Sequence, residues 1–299
     1  MNDAPALEDR DTPRGVAFAL AAYLMWGALP LYLKAVSHIP PTEVVAHRIM
    51  WSVPVAGLLL IVLRRTRDLR TALANPRMLA MGCVTAALIS VNWGIYVWSI
   101  SVGKTVDAAL GYYINPLFSV FLAAVLLGER LSRAQMVAIA LAVLAVIVLT
   151  VESGSLPLAS IGLTLSWGFY AFFKKSLPIG PNQGFMLEVL ILLPFALGYV
   201  IWLGPESHFS PGTGDFWLLL AGGIVTAVPL ITYANGAKLV RLSTIGIMQY
   251  IAPTLIFLVA VFVFGEEFDR ARMIAFPMIW AALVIYSVSM IRQMRARGR

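Results

Sequence analysis

The sequence predicts an all-α integral membrane protein whose ten transmembrane helices form a 5+5 inverted-topology repeat. The first observation is composition: 60% of the 299 residues are hydrophobic and 12% are charged, whereas soluble domains carry about 25% charged residues. The second is a series of runs without Asp, Glu, Lys or Arg, each near the ~20 residues that a helix needs to cross a bilayer core. The third is a string in the middle of the chain that returns near its end.

The uncharged runs set the predicted helices in order along the chain. Met78 to Gly103 and Leu242 to Gly265 are two of these runs. The connections between runs are too short to hold a soluble domain. With ends placed to within roughly two to four residues, the predicted helices cover about residues 15–34, 43–63, 78–101, 105–127, 132–151, 157–175, 183–203, 215–237, 243–265 and 270–291.

A repeated string divides the chain into two halves. GYYINPLFSVFLAAVLLGERL starts at Gly111 and MQYIAPTLIFLVAVFVFGEEF starts at Met248, an offset of 137 residues. A second match, at an offset of 141, aligns Trp26 with Trp167. Because an odd number of predicted crossings separates the copies, the second copy runs through the membrane in the opposite direction. The predicted segments are a cytoplasmic tail at 1–14, a first repeat at 15–151, a second repeat at 156–291 and a basic tail at 292–299.

The distribution of basic residues predicts the orientation of the chain. With the N-terminus inside, 17 of the 22 Lys and Arg residues fall on the same side as both termini. This bias is the positive-inside signal, so both termini are predicted to be cytoplasmic. The repeated turn follows the same rule, since Arg130 on the predicted inner side becomes Glu267 on the predicted outer side. Ser132 and Asp269 align as good N-caps for the helices that follow.

The remaining composition excludes several classes of function. The net charge of +7 lies in short clusters between apolar runs, so it indicates membrane orientation and not a nucleic-acid partner. The sequence contains no Walker-type phosphate loop, so the chain does not hydrolyse ATP. Its three histidines are scattered, and its single cysteine, Cys83, lies in an apolar run. We therefore expect no metal, no cofactor and no enzymatic activity.

Two prolines at matching positions interrupt the repeated helices. Pro116 and Pro253 lack an N–H group, so the carbonyls of Tyr112 and Gln249 lose their usual helical donor. Freed carbonyls at membrane depth must face a neighbour, water or a cavity. Two interpretations stay open for this pair: a structural kink, or the lining of a solute cavity.

Polar and aromatic side chains collect on the third and fourth predicted helices. Asn92 and Tyr96 lie one turn apart on one helix face, and Tyr112 and Asn115 share a face of the next helix. An unpaired amide in hydrocarbon is costly, so the asparagines must bond across helices or to a ligand. Interhelical hydrogen bonding stays open as an alternative. The surrounding aromatic residues favour a cavity for organic, partly apolar or cationic solutes.

Few ionisable residues lie within the apolar segments, and such residues are functional candidates by default. Glu43 and His47 lie one turn apart on the second predicted helix, with Arg48 adjacent, and Glu188 aligns with His47 at the offset of 141. A histidine could carry a coupling proton. The alternative is a local ion pair that stabilises the helix entrance, which we prefer for Glu43. His47, Arg48 and Glu188 are kept as coupling or gating candidates.

Several strings together resemble a known family of permeases. NWGIYVWSISVGKTVDAALGYYINPL is the most specific of them, and AYLMWGALPLYLK, AHRIMWS, GERLSRAQ and LSWGFYAFFKK accompany it. They resemble RarD permeases, which belong to the EamA-domain branch of the drug/metabolite transporter superfamily. The resemblance extends from about Gly15 to Arg292. It implies ten helices, two EamA repeats, a bacterial inner-membrane location and outward movement of small solutes.

The resemblance also implies where a solute binds. In transporters of this fold, the cavity lies between the first, third, fourth, sixth, eighth and ninth helices. The lining residues implied here are Trp26, Asn92, Tyr96, Tyr112, Asn115, Trp167, Tyr170, Tyr233, Gln249 and Tyr250. Lys104 and Asp107 stand where some relatives have His and Glu, so gating or proton access is expected to differ in this loop between helices three and four. Pro116 and Pro253 complete the gating candidates.

These inferences favour a secondary transporter that exports small organic metabolites or drug-like molecules. Inverted repeats permit alternating access, and a solute gradient, a proton or exchange would supply the energy. The expected partners are a small organic solute, the lipid bilayer and protons, and the chain is expected to act as a monomer. Two alternatives stay open: a passive facilitator or channel, whose transport would ignore pH, and a non-transporting membrane scaffold.

Overall fold

A computed structural model shows how the predicted helices are arranged. The structure describes residues 11–62, 66–175, 178–237 and 239–297, so the outer parts of both predicted tails lie outside the described residues. The helices are α1 (Pro13–Ala35), α2 (Pro41–Val62), α3 (Thr66–Ala74), α4 (Pro76–Ser101), α5 (Thr105–Leu127), α6 (Arg133–Ser153), α7 (Leu158–Lys175), α8 (Pro181–Leu203), α9 (Gly214–Gly236), α10 (Leu242–Met248), α11 (Ile251–Leu258) and α12 (Arg270–Arg297).

The predicted membrane class is confirmed. Within the described ranges, nine helical segments are long and apolar enough to cross a membrane. The predicted crossing at about 157–175 forms α7, which has 18 residues and is not among these nine. Lys174 and Lys175 in its last turn shorten its apolar stretch. The chain is a multi-pass helical membrane protein, and ten crossings stay a prediction.

The predicted ninth helix, about 243–265, is wrong as a single regular helix. It is divided into α10, a tight turn at Gln249 and Tyr250, α11 and a π-helical turn. Pro253 supplies the reason, because it cannot donate to the carbonyl of Gln249. The amide of Tyr250 donates to the carbonyl of Ile247 at 3.3 Å, which tightens the turn. Pro116, at the matching position, leaves α5 continuous.

Helix α3 was not predicted, because its sequence is polar and lies in the short connection between α2 and α4. Its Asp68 accepts a hydrogen bond from the Gln183 side chain at 3.0 Å. Its Ala72 is buried against Leu187 of α8. The two contacts attach α3 to the start of α8.

Contacts at the helix ends define two faces of the bundle. The terminal face carries the first described residues, and its contacts are Asp11 with Arg241, Gln183 with Asp68, and Ser132 with Ser289. The loop face carries segment 204–213, and its contacts are His38 with Asp215, Glu43 with His208, and Asp107 with Arg272. The predicted cytoplasmic side corresponds to the terminal face.

The repeated turn has the same local geometry in both copies. Gly128 and Gly265 adopt φ values of 67° and 66°, a conformation that glycine reaches without a Cβ penalty. The predicted N-caps are confirmed. Ser132 forms a capping box with Gln135, and Asp269 accepts a hydrogen bond from the amide of Arg272 at 2.9 Å.

Asp11 joins the N-terminal segment to the start of α10, and this contact predicts an acid sensitivity. Hydrogen bonds from Arg241 lower the pKa of Asp11 from 3.8 to about 2. Because the folded-state pKa is the lower one, the contact stabilises the protein above a pH of about 4 and loses its contribution as the pH falls toward about 2. We expect amide exchange protection of residues near Gly15 to decrease over this pH range, after correction for the intrinsic exchange rate. The Asp11→Asn variant should lack this pH dependence, and an unchanged dependence would contradict the assignment.

Candidate functional site

Two of the predicted lining residues meet in a group between α1 and α9. The ring centroids of Trp26 and Tyr233 lie 5.4 Å apart. Tyr23 completes the group, with its ring centroid 5.7 Å from Trp26 and 5.8 Å from Tyr233. Tyr23 was not predicted, although its spacing of three residues from Trp26 places both on one helix face.

Four more predicted lining residues form an aromatic row across α4, α5 and α7. The ring centroids of Tyr96 and Tyr112 lie 5.4 Å apart, and those of Tyr112 and Trp167 lie 6.3 Å apart. Trp167 continues to Tyr170 at 5.5 Å. The row extends through the interior of the bundle from the first half of the chain to the second.

Asn92 lies beside this row and is bonded across helices. Its Nδ2 group donates to the Ser166 hydroxyl at 3.0 Å and to the Leu163 carbonyl at 3.3 Å. Its Oδ1 atom accepts from the Tyr112 hydroxyl at 3.1 Å. In this conformation Asn92 therefore forms hydrogen bonds between helices, which was the alternative to ligand binding. By contrast, the Oδ1 atom of Asn115 is buried and has no hydrogen-bond partner within the described part of the chain.

A cavity of about 780 Å³ lies on the terminal face between α5, α6, α12 and the turn at Gln249. Two predicted residues, Pro116 and Gln249, border it. Its other polar lining includes Ser119, Glu129, Gln135 and Gln293. The other predicted lining residues do not border this cavity, so they and the open space are separate in this conformation.

Glu188 forms a buried ion pair. Its Oε1 atom lies 2.6 Å from Nζ of Lys174, and its Oε2 atom accepts from the Tyr170 hydroxyl at 3.2 Å. Lys174 is one of the 17 basic residues on the predicted cytoplasmic side, and no further role was predicted for it. Its spacing of four residues from Tyr170, one helical turn, was the signal that could have placed it beside the site.

The predicted local ion pair among Glu43, His47 and Arg48 is wrong. Glu43 is fully buried, and its carboxylate accepts from the Ser207 hydroxyl at 2.7 Å and from the His208 amide at 2.8 Å. Its Oε2 atom also lies 2.8 Å from Nδ1 of His208. Segment 204–213 offers these three donors at the start of α2, which is why Glu43 bonds there. Glu43 therefore joins the start of α2 to segment 204–213.

His47 and Arg48 lie one turn deeper in the bundle. The His47 ring packs 4.7 Å from the ring of Phe209, and its Nδ1 atom accepts from the Trp51 indole at 3.3 Å. The Arg48 guanidinium donates from Nε to the Thr226 hydroxyl at 2.9 Å. Segment 204–213 therefore covers this region from the loop face.

The Lys104 and Asp107 candidates lie at the start of α5. Lys104 ends the loop after α4, and Asp107 lies in the first turn of α5, which begins at Thr105 as the predicted helix at about 105–127 does. Asp107 accepts from the Arg272 guanidinium at 3.0 Å, and the Lys104 ammonium lies 5.3 Å from the ring centroid of Trp98.

Glu266 is a further residue of this region that sequence reasoning missed. Its two carboxylate oxygens accept from the amides of Thr105 and Val106 at 2.8 and 2.9 Å, and so cap the N-terminus of α5. The Gly-Glu pair of the repeated turn was the available signal. Because Glu266 belongs to the second half of the chain and α5 to the first, the cap joins the two halves on the loop face.

The pattern of the EamA-like transporter family matches the chain twice, at residues 13–151 and 156–288. The chain belongs to the EamA-like transporter family. Among relatives of this EamA-family chain, protein RarD of Streptomyces exfoliatus is 42% identical over 94% of this chain and 90% of its own length. A protein of Vibrio cholerae named an uncharacterized transporter is 40% identical, over 98% of both chains.

A comparison with solved structures shows the same fold. A crystal structure aligns with a TM-score of 0.59 and 22% identity, over 93% of this chain and 98% of its own. The sequence relatives support a RarD-type permease, as the motifs predicted. The EamA-family chain is therefore a multi-pass membrane transporter of the bacterial inner membrane, in a family of transporters and not of enzymes.

Proposed function

We propose that this EamA-family chain is a secondary transporter that exports small organic metabolites or drug-like molecules by alternating access. The observation that carries the proposal is that one face of the bundle is open and the opposite face is closed. The terminal face has an open cavity of about 780 Å³. The loop face is closed by bonds between the two halves of the chain, from Glu266 to α5 and from Arg272 to Asp107. In this proposal the terminal face is cytoplasmic, and the chain acts as a monomer.

Equivalent close contacts in the two halves support the inverted repeat. A Cβ atom on Gly27 would overlap Leu255, and a Cβ atom on Gly168 would overlap Phe118. Gly27 aligns with Gly168 at the offset of 141, and Phe118 aligns with Leu255 at the offset of 137. In the proposed repeat, the halves cover 15–151 and 156–291, α7 is the sixth crossing, and α10 with α11 is the ninth.

The repeat also supports a mechanism by which the protein switches between a state open at the terminal face and a state open at the loop face. Glu129 aligns with Glu266 at the offset of 137, and Leu242, the first residue of α10, aligns with Thr105. Glu129 borders the open cavity on the terminal face. In the proposed outward-open state, Glu129 caps α10 and Glu266 releases α5. In each state one glutamate caps the helix N-terminus at the closed face, while the opposite face is open.

His47 is the proposed proton-coupling residue. Glu188 already has two close partners, whereas Nε2 of His47 is buried without a hydrogen-bond partner in the described ranges. Because Nδ1 accepts from Trp51, Nε2 carries the N–H of the neutral ring and is a buried donor without a partner among the described residues. In the proposed mechanism the Trp51 bond opens, Nδ1 takes up a proton, and the imidazolium forms. Lys104, Asp107, Pro116 and Pro253 are assigned to gating, because they lie at helix ends or at the helix interruptions.

Efflux from proteoliposomes tests the function. We expect at least one solute of a metabolite and drug panel to leave the vesicles, and an imposed pH gradient to drive its accumulation. His47→Gln should remove the effect of the gradient, while His38→Gln, at an exposed histidine of the loop face, should not. Transport that ignores pH in the wild-type protein would indicate a passive facilitator. The absence of movement for every solute would favour the scaffold alternative.

A further inference from the structure

Arg48 is a buried cation without a carboxylate partner. Arg48 lies on α2, and only 2% of the residue is exposed. None of the ion pairs formed by the described residues includes Arg48. An arginine stays protonated in proteins, and burying a charge without a counter-charge is strongly unfavourable. The position therefore calls for an anion that the described protein groups do not supply.

The surroundings of Arg48 satisfy only part of its guanidinium. Nε donates to Thr226, and the guanidinium carbon lies 5.2 Å from the ring centroid of Trp93. Nη1 is buried and has no hydrogen-bond partner among the described residues. The hydroxyl of Tyr96 is likewise buried and unpartnered there, and Tyr96 lies one helical turn from Trp93 on the same face of α4. Because Nη1 can only donate, the missing partner is an acceptor.

The second half of the chain has no arginine at the matching position, since Arg48 aligns with Val189 at the offset of 141. Glu188 aligns with His47, the neighbour of Arg48, and pairs with Lys174 at 2.6 Å. The bundle therefore provides a counter-charge for the buried Glu188, whereas none of the described carboxylates pairs with Arg48. This difference indicates a role for the unpaired cation beyond packing.

Helix α9 is shaped to admit the arginine. A Cβ atom on Gly222 would lie 3.1 Å from Cγ of Arg48 and 3.1 Å from the hydroxyl oxygen of Tyr32. A Cβ atom on the next residue, Gly223, would overlap the backbone of Trp51. The double glycine lets α9 approach α2 closely and leaves space for the aliphatic part of the Arg48 side chain.

We infer that Arg48 and Tyr96 bind the carboxylate group of an organic solute. One carboxylate oxygen accepts from Nη1 of Arg48, and the second accepts from the Tyr96 hydroxyl. The aromatic row from Tyr96 through Tyr112 to Trp167 receives the apolar body of the solute. The charge of Arg48 thus selects an anion where the aromatic residues alone would also suit a cation. This inference rests on the proposed transport function, because it places the carboxylate in the solute path.

Calorimetric titration of the purified full-length protein tests the inference without any transport step. The probes are acid and amide pairs of matched shape: acetate with acetamide, phenylacetate with phenylacetamide, and indole-3-acetate with indole-3-acetamide. Because charge-assisted hydrogen bonds are about twice as strong as neutral ones, we expect at least one acid to bind about tenfold more tightly than its amide. Phenyl phosphate is included to distinguish a phosphate site from a carboxylate site.

Variants then assign the binding to the two residues. Arg48→Gln should weaken acid binding about tenfold or more and leave amide binding unchanged, and Tyr96→Phe should cause a smaller loss. Arg14→Gln, which removes a positive charge outside the site, should bind like the wild type. If Arg48→Gln does not fold, Arg48→Lys keeps the charge without the planar fork and should give an intermediate loss.

The outcomes separate this inference from the proposed function. Equal binding of acid and amide throughout the panel, or full acid binding by Arg48→Gln, would overturn the carboxylate site. Tighter binding of phenyl phosphate than of phenylacetate would overturn it in favour of a phosphate site. Acid binding that depends on Arg48 without any efflux would support the site and contradict transport, whereas efflux of the acid by Arg48→Gln at the wild-type rate would support transport and contradict the site.

Discussion

Replacing Glu266 by leucine is expected to open the loop face and close the terminal face. The substitution removes both hydrogen bonds to the amides of Thr105 and Val106 and the negative charge at the N-terminus of α5. Hydrogen bonds to a charged group each contribute about 1.5–3 kcal/mol. With partial compensation by water, a loss of roughly 2–4 kcal/mol is enough to shift the populations of the two states by more than about tenfold.

Accessibility of single cysteines measures the shift. In a background in which Cys83 is replaced by alanine, Thr105→Cys reports on the loop face and Ser119→Cys on the cavity of the terminal face. Thr105 is fully buried beside Glu266, and Ser119 borders the cavity. In the Glu266→Leu protein we expect faster labelling at position 105 and slower labelling at position 119, by about tenfold or more in each case.

Two matched glutamate variants control this experiment. Glu267→Leu changes the adjacent exposed carboxylate, whose side chain makes no bond to α5, and should leave both labelling rates unchanged. Glu129→Leu removes the proposed cap of the other state, so labelling at position 105 should fall or stay low. Equal rates in the Glu266→Leu and wild-type proteins would contradict the gate, and faster labelling of both positions would indicate unfolding.

Breaking the Lys174–Glu188 pair is expected to destabilise the protein more than removing the whole pair. Glu188→Leu leaves the Lys174 ammonium without its counter-charge and the Tyr170 hydroxyl without its acceptor. Loss of one partner of a buried ion pair costs about 3–5 kcal/mol. The double variant Lys174→Met, Glu188→Leu removes the unpaired charge and leaves only the Tyr170 hydroxyl without its acceptor, so it should lose about 1–3 kcal/mol.

Unfolding in mixed detergent micelles measures both free energies, with Glu152→Leu at the exposed end of α6 as the control. That surface change should stay within about 0.5 kcal/mol of the wild type. A stable Glu188→Leu protein would show that the carboxylate does not hold the lysine in place. Efflux by the stable double variant tests the coupling hypothesis directly, since normal acceleration by a pH gradient would exclude Glu188 as the coupling residue.

The helices and their caps could be predicted from the sequence because the physical causes are local. The predicted helix at about 105–127 is α5 with the same bounds, and that at about 132–151 differs from α6 by at most two residues. Hydrocarbon requires each crossing to be a long uncharged run, and a serine or aspartate before a helix satisfies its free amides. Both signals are present within a few consecutive residues.

The irregular parts of the fold were harder to predict, because packing between helices outweighs the local sequence pattern there. The run at 243–265 is as apolar as a regular crossing, yet the effect of Pro253 on the backbone divides it, while Pro116 leaves α5 continuous. The difference depends on how each helix is packed. The polar sequence of α3 hid an amphipathic helix. The polar end of α7 shortens its apolar stretch, which the prediction of a full crossing did not take into account.

The candidate site was predicted in its residue types but not in its partners. Aromatic and ionisable residues at membrane depth identify themselves by their cost in hydrocarbon, which is how Arg48 and Glu188 were selected. Their partners lie far away in the chain or were assigned another role. Thr226 is 178 residues from Arg48, and Glu266 is 161 residues from Thr105.

By itself, the sequence determined that this chain is a membrane protein and that it consists of two related halves. It also identified the few residues that are too polar for their surroundings. Hydrophobicity and repetition are properties of the chain read residue by residue. Only the tertiary structure decided that Glu43 bonds to His208, that Glu188 pairs with Lys174 and that Arg48 has no counter-charge among the described residues. Electrostatic pairing depends on distances of a few ångströms between helices, and packing alone sets those distances.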